Sequence, residues 1–316
     1  VTATVQLASL QIGKELADGG QGRVFELLDR SHQVLKMYHD PAHPSFDAGG
    51  LDRLVAERDT ISHAGRVVDE FAAWPAVVVL EGSHVVGFLM RRVPKQFSLK
   101  IGQGERLADL SYLATAPKPI WGPVSLPSHS EKLGILRDLA GVVDTLHRRG
   151  IVLGDISFAN VLWTVTPRPG VMLLDCDGMR LEGRTSVLPQ ADTLDWDDPY
   201  VVRGAEPTRD QDRYKLALAV LRVLCASLNR RLDGRPLDPA LLGANPSGVQ
   251  DLLSKAAGAA GTRPAASEWM TALSDRVMQP VLAPASRRRI DMPKPKPDLL
   301  ASGGPRQFRP VQPPPS

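Results

Sequence analysis

Through the first ninety residues, short apolar runs alternate with turn-forming residues. Leu7 to Leu16, Arg23 to Leu28, Gln33 to Tyr38, Ala76 to Leu80 and His84 to Met90 are each of strand length and set between polar, turn-rich segments. Between the third and fourth runs, Leu51, Leu54, Val55, Arg58 and Ile61 recur at helical spacing, which predicts a helix from about Leu51 to His63. Residues 1–93 thus read as a small strand-rich lobe with one helix.

Beyond Pro94 the period lengthens. Leu133, Leu136, Leu139, Val142, Val143 and Leu146 lie on one face of a helix over Glu131 to Arg149, with Ser130 placed to cap its start and Gly150 to stop it. Val161 to Val165 and Val171 to Leu174 predict two short strands joined by a turn at Pro167, Pro169 and Gly170, and Tyr214 to Ala226 predicts a buried helix. Residues 94–278 therefore read as a larger helical lobe. After Met278, ten prolines and several basic clusters leave too little apolar surface to fold, so 279–316 is expected to be a disordered tail. The expected fold is α+β, with two lobes followed by that tail.

Composition narrows the function classes. A chain of 316 residues with 43% hydrophobic content can bury one large core or two lobes. Its two cysteines, Cys176 and Cys225, form no CxxC pair and stand in no cysteine/histidine cluster, which argues against a disulfide framework and a structural zinc site and suits a reducing cytosol. No apolar stretch is long enough to span a bilayer, so a cytoplasmic protein without a membrane partner is expected. The net charge of +3 does not indicate nucleic acid. Arg287 to Arg309 alone carries +5, which leaves −2 for the remainder.

Four motifs carry chemistry. The first is Leu16-Ala17-Asp18-Gly19-Gly20-Gln21-Gly22-Arg23-Val24, a glycine turn between two strands whose bare backbone can approach phosphate oxygens. Lys36 follows twelve residues after Val24, near the end of an apolar strand. The third motif is Gly154-Asp155-Ile156-Ser157-Phe158-Ala159-Asn160, an aspartate and an asparagine five apart between a long helix and a short strand. In the fourth, Val171-Met172-Leu173-Leu174-Asp175-Cys176-Asp177-Gly178, an apolar strand delivers carboxylates, the hard oxygen ligands that magnesium needs, into a loop.

In this order and at these intervals the motifs resemble a divergent bacterial serine/threonine protein kinase, over about residues 10–275. The resemblance implies ATP and Mg2+ as cofactors, with Ala17, Gly19, Gly20, Gly22 and Val24 enclosing the nucleotide and Lys36 pairing with its phosphates. It adds Met90, Arg91 and Val93, at the end of the first lobe, to the nucleotide-binding set. Glu57 is the best candidate to orient Lys36 from the helix, with Asp52 and Asp59 as alternatives. Asp155 would orient the acceptor hydroxyl and take its proton, and Asn160 would hold a metal ion. Asp175 is the favoured second metal ligand because it directly ends its strand, and Asp177 is the other register. Asp212, before the buried helix, would fasten the catalytic loop, and Arg263-Pro264 with Trp269 resembles the closing segment of the fold.

The pattern also departs from that family. Leu153-Gly154-Asp155 lacks the arginine that would read a phosphorylated activation loop, which implies a non-RD kinase, and Ser157 stands where a lysine would neutralise the γ-phosphate. No Ala-Pro-Glu ends the activation segment; Trp196-Asp197-Asp198-Pro199-Tyr200 occupies about that place. Two other readings follow: a pseudokinase acting as a nucleotide-binding regulatory module, and a small-molecule phosphotransferase of the aminoglycoside or choline kinase type. The full glycine loop argues against the second. The protein substrate is unknown, and similar domains occur beside phosphatases, which makes a cognate phosphatase or other signalling partner an expectation of the resemblance alone.

Overall fold

The computed structural model describes residues 2–189, 193–202 and 204–274, and Val1–Val277 form one compact unit. The expected tail lies outside the described residues. The strands of the first part are β1 (Thr4–Gln6), β2 (Ile12–Asp18), β3 (Gly22–Leu27) and β4 (Gln33–Tyr38); helix α1 (Ala48–Glu57) follows, then a hairpin of β5 (Ser62–His63) and β6 (Arg66–Val67), then β7 (Val77–Glu81) and β8 (His84–Arg91). Six of them form one sheet in the order β1-β7-β8-β4-β3-β2, antiparallel except for β1 against β7.

Strand alternation gives this sheet two different faces. Leu35 and Leu89 are paired neighbours in β4 and β8 and belong to an outer apolar cluster with Leu10, Leu27, Val79 and Val86. One residue along, Lys36 and Phe88 pair on the opposite face, and Phe88 and Tyr38 join the main core beneath the sheet. Glycine is required where the strands approach most closely. A Cβ at Gly87 would stand 2.1 Å from the Lys36 carbonyl oxygen, and one at Gly22 would stand 2.3 Å from that of Met37. Gly22, expected as a phosphate-loop glycine, thus also has a packing reason to lack a side chain.

Helix α1 is shorter than its sequence pattern suggests. The chain tightens into a 3-10 turn at Arg58–Thr60 and enters β5 at Ser62, although the apolar spacing runs on to Ile61. Its inner face buries Leu51, Leu54 and Val55, and fully burying a leucine contributes about 1.5–3 kcal/mol. The indole Nε1 of Trp74 donates to the Leu54 carbonyl at 2.8 Å. At the other end of the helix, Gly50 packs on the Val187 backbone, and Asp47 accepts from Thr185 Oγ1 at 2.7 Å and from Arg53 Nη2 at 2.6 Å.

The connection into the helical part carries a hairpin of β9 (Ser98–Ile101) and β10 (Gly104–Leu107). Then come α2 (His129–Arg148), β11 (Ile151–Val152), β12 (Val161–Thr164), β13 (Gly170–Leu173), β14 (Arg180–Leu181), α3 (Arg209–Leu224), α4 (Pro246–Ala256) and α5 (Ala266–Ala272). Helix α2 is capped by Ser128, not Ser130, through a reciprocal box with Glu131. Helix α3 starts five residues before the expected Tyr214, at a matching Thr208/Gln211 box, and is buried on nearly all sides. The core gathers α2, α3, α4 and α5 and extends to Tyr38, Val78 and Phe88 of the sheet. Strand β13 links the two parts, since Leu173 donates to the Phe71 carbonyl and accepts from the Ala73 amide, each at 2.8 Å. Among the described residues no helix is long and apolar enough to cross a membrane.

Candidate active site

A cleft of about 1350 Å³ opens between the sheet and the helical part. Ala17, Gly19, Gly20, Gly22 and Val24 roof it, Met90, Arg91 and Val93 form one side, and Lys36 of β4, Asp155 and Asn160 of the loop between β11 and β12, and Asp175 after β13 reach it from three places in the chain. Glu57 and Asp177 are absent from its walls. Sequence reasoning did not find the contribution of the β9–β10 hairpin, which adds Ser98, Glu105, Arg106 and Leu107, nor that of Thr193. Ala73, Phe97, Leu162 and Met172 pack with Met90, Val93 and Leu174 in an apolar cluster, and Ala73, Met90, Val93 and Leu174 of it line the cleft, a surface suited to a flat ring.

The roof is held at both ends of its turn. Gly19 donates to the Gly22 carbonyl at 3.0 Å, His39 Nε2 lies 2.9 Å from the Gly19 carbonyl oxygen, and Gln21 Nε2 donates to the Pro189 carbonyl at 3.1 Å. Nothing lies within 4 Å of a Cβ built at Gly20, so the turn is unhindered at that position.

Lys36 is buried, and its ammonium donates to Asp177 Oδ1 at 2.7 Å and to Asp175 Oδ1 at 3.4 Å. Burial works to lower its pKa, but the two carboxylates outweigh it and hold the ammonium above its ordinary range. Tyr38, two residues on and on the same face, is buried, and burial and the Asp177 charge push its phenol well up. The expected Lys36–Glu57 pair is not formed. Glu57 is the last residue of α1, and its carboxylate accepts from Thr60 Oγ1 at 3.0 Å. The alternatives do no better: Asp52 is exposed and Asp59 pairs with Arg58. The part of α1 that faces the core is apolar, so the helix sends no acid toward Lys36.

The loop after β11 is fastened from below. Asp212 of α3 accepts from the amides of Leu153 and Gly154, each at 2.8 Å, and pairs with His147 Nε2 at 3.0 Å. Lys215, one turn further along α3, donates to the Gly154 carbonyl at 2.7 Å. Gly154 has φ +80°, a backbone region that a glycine enters without penalty. Above this support, Asp155 accepts from Asn160 Nδ2 at 2.7 Å through one carboxylate oxygen and from Thr193 Oγ1 at 2.7 Å through the other. Burial raises the Asp155 carboxyl above its usual range, against the lowering effects of Thr193, Lys215 and Asn160.

Asp175 and Asp177 face different surroundings. Asp175 sits in the left-handed region (φ +50°, ψ +42°), which aspartate tolerates better than most residues, and its side chain is 65% exposed toward the cleft. A 3-10 turn over Cys176–Gly178 buries Cys176 in the core and leaves the Asp177 side chain 1% exposed beneath Lys36. Further out, Arg263 grips Asp198 with two guanidinium nitrogens, Nη2 to Oδ1 at 2.7 Å, in the segment where no Ala-Pro-Glu was found.

Among the described residues no three His, Cys, Asp or Glu side chains converge as a ready-made metal cage. The donor set still suits magnesium, which takes few protein ligands and completes its shell with water and phosphate oxygens. Asp175 offers an exposed carboxylate, and the Asn160 amide spends its nitrogen on Asp155, which leaves a carbonyl oxygen as a further hard donor.

No family model matches the chain. It is 26% identical over 236 residues to a protein named Protein kinase YegI from Escherichia coli (strain K12), a match covering 71% of this chain and 32% of that protein. A protein of the same name from Escherichia coli O157:H7 is 25% identical over 225 residues, with 67% and 31% covered. Both relatives support a kinase-like family. The chain spans about a third of the length of these curated relatives.

Proposed function

We propose that this chain is an ATP- and magnesium-dependent protein kinase domain of non-RD type, transferring the γ-phosphoryl group to Ser or Thr hydroxyls. The observation that carries this reading is the placement of Asp155, hydrogen-bonded to Asn160 and Thr193, in one cleft with Lys36, Asp175 and the glycine turn. The two relatives named as protein kinases support it.

In this reading Asp155 accepts the proton of the incoming hydroxyl as that oxygen attacks the γ-phosphorus of ATP, and the bond from that phosphorus to the β,γ-bridging oxygen breaks, the oxygen leaving with ADP. Lys36 has three N–H donors, two of them engaged by carboxylates, and directs the third to a phosphate oxygen. Asn160 and Asp175 are the residues that would hold magnesium, which would supply neutralisation of charge on the phosphate oxygens. Thr193 and Asn160 fix the Asp155 carboxylate from both sides, so its orientation is set before substrate arrives.

ADP release by the purified chain, with magnesium and generic protein acceptors, tests the assignment. The expected result is turnover that falls at least a hundredfold in Asp155→Asn, on the order of what a positioned general base contributes. Nucleotide-dependent thermal stabilisation without turnover would favour the pseudokinase reading, and ADP release only with metabolite acceptors would favour a small-molecule phosphotransferase.

A further inference from the structure

We propose that Asp177 is the positioning residue for Lys36, so that the phosphate-binding lysine is set by the metal-binding loop itself and not by helix α1. The inference rests on the nucleotide-binding reading above and deepens it. The two charges meet at 2.7 Å with side-chain exposures of 5% and 1%. An ammonium so buried needs a carboxylate partner, because leaving either charge unpaired away from water costs several kcal/mol. Asp175, the other acid within reach, is farther from the ammonium at 3.4 Å and is exposed to the cleft.

Local backbone explains how one short loop supplies both groups. Asp175 in the left-handed region starts a tight turn, closed by Gly178 N–H to the Asp175 carbonyl at 3.1 Å. Successive side chains then separate: Asp175 toward the cleft, Cys176 into the core, Asp177 up to β4. Asp175 remains available for a cation while Asp177 neutralises Lys36. Glu57 cannot share the task from the end of α1, where Thr60 holds it. The lysine geometry is therefore independent of movements of α1, whose N-terminal end is tied to Thr185 and Val187.

The test is titration of the full chain with a fluorescent N-methylanthraniloyl ATP, with melting curves for every variant. Wild type should bind, Lys36→Met should bind weakly, and Asp177→Asn should lose about tenfold or more, the scale of a charge-assisted phosphate contact. Glu57→Gln should stay within about twofold, as for surface changes far from an interaction. In the Lys36→Met background, Asp177→Asn should cost nothing further, because its effect runs through the lysine. An equal loss in both backgrounds, or a loss in Glu57→Gln matching that of Asp177→Asn, overturns the inference. Lys36-dependent binding that ignores Asp177 overturns it alone, whereas no binding by wild type overturns the nucleotide reading as well. A measurement needing no change at Asp177 guards against a variant that does not fold: acylation of the Lys36 amine should be equally slow in wild type and Glu57→Gln, and faster labelling of the latter would refute the proposal.

Discussion

Asp198 and Arg263, 65 positions apart in the chain, form an ion pair with side-chain exposures of 1% and 0%, reinforced by Asp210 Oδ2 at 3.0 Å from the same guanidinium. Tyr214 lies against the guanidinium, 4.9 Å from ring centroid to Cζ. The pair joins the segment around Asp198 to the start of α3 and the loop before α5.

Breaking this clamp should therefore unfold the helical part more easily. Asp198→Ala leaves a buried guanidinium facing only Asp210, and losing one partner of a buried pair costs about 3–5 kcal/mol. Urea denaturation should show a midpoint shift of that size with an unchanged slope. A shift below about 1 kcal/mol, the range of exposed pairs, would mean that water reaches the site.

Thr193 should matter for turnover more than for nucleotide affinity. Its hydroxyl donates to Asp155 Oδ1 and does not touch the Lys36 cluster. Thr193→Val keeps the shape and removes the donor, so kcat should fall by about tenfold, the scale of one hydrogen bond to a charged group. The KM for ATP should stay within about twofold. Steady-state kinetics separates the two, and a selective rise in KM would place Thr193 in nucleotide binding instead.

Asp175→Ala should raise the magnesium concentration needed for half-maximal nucleotide binding, while leaving the melting temperature of the free protein nearly unchanged. The first effect follows from loss of a hard oxygen donor. The second follows from exposure, since a carboxylate 65% open to solvent and 3.4 Å from Lys36 adds little to folding. Magnesium titrations of wild type and variant check both.

The sequence was most informative where local structure sets the position of a residue. Lys36, Asp155, Asn160 and Asp175 each stand in or beside a short strand whose apolar residues have only one way to be buried, and all four reach the cleft. Glu57 was misjudged because helical spacing in sequence continues to Ile61 while the chain turns at Arg58, and the rotation of a helix relative to a strand is a tertiary property. The cap was expected at Ser130, although Glu131 three residues after Ser128 is the signal that marks the true one. The β9–β10 hairpin was harder to read. Gly102 and Gly104 mark its turn, but its second strand is exposed throughout and shows no apolar alternation.

The stability of the protein should fall in acid partly through one partly buried carboxylate. Asp138 of α2 accepts from Arg66 Nη2 at 2.6 and 2.8 Å, from the Val171 amide at 2.9 Å, and lies 3.2 Å from His63 Nε2. Burial alone would raise its pKa, but the hydrogen bond to His63, the Arg66 charge and the amide together hold it below the ordinary value. A carboxylate with a depressed folded-state pKa binds its proton more readily when unfolded. Its stabilising contribution is thus complete above about pH 4, the unfolded value, and is lost as pH falls from there through the lower folded value. Asp138→Asn removes the contribution at neutral pH, leaves the partly buried Arg66 without its counter-charge, and should cost about 1–3 kcal/mol at pH 7. Below pH 4 the gap between variant and wild type should narrow as Asp138 itself becomes protonated. Urea unfolding of both proteins from pH 7 to pH 3 measures this, and a gap that stayed constant across the range would show that packing, not charge, is what Asp138 contributes.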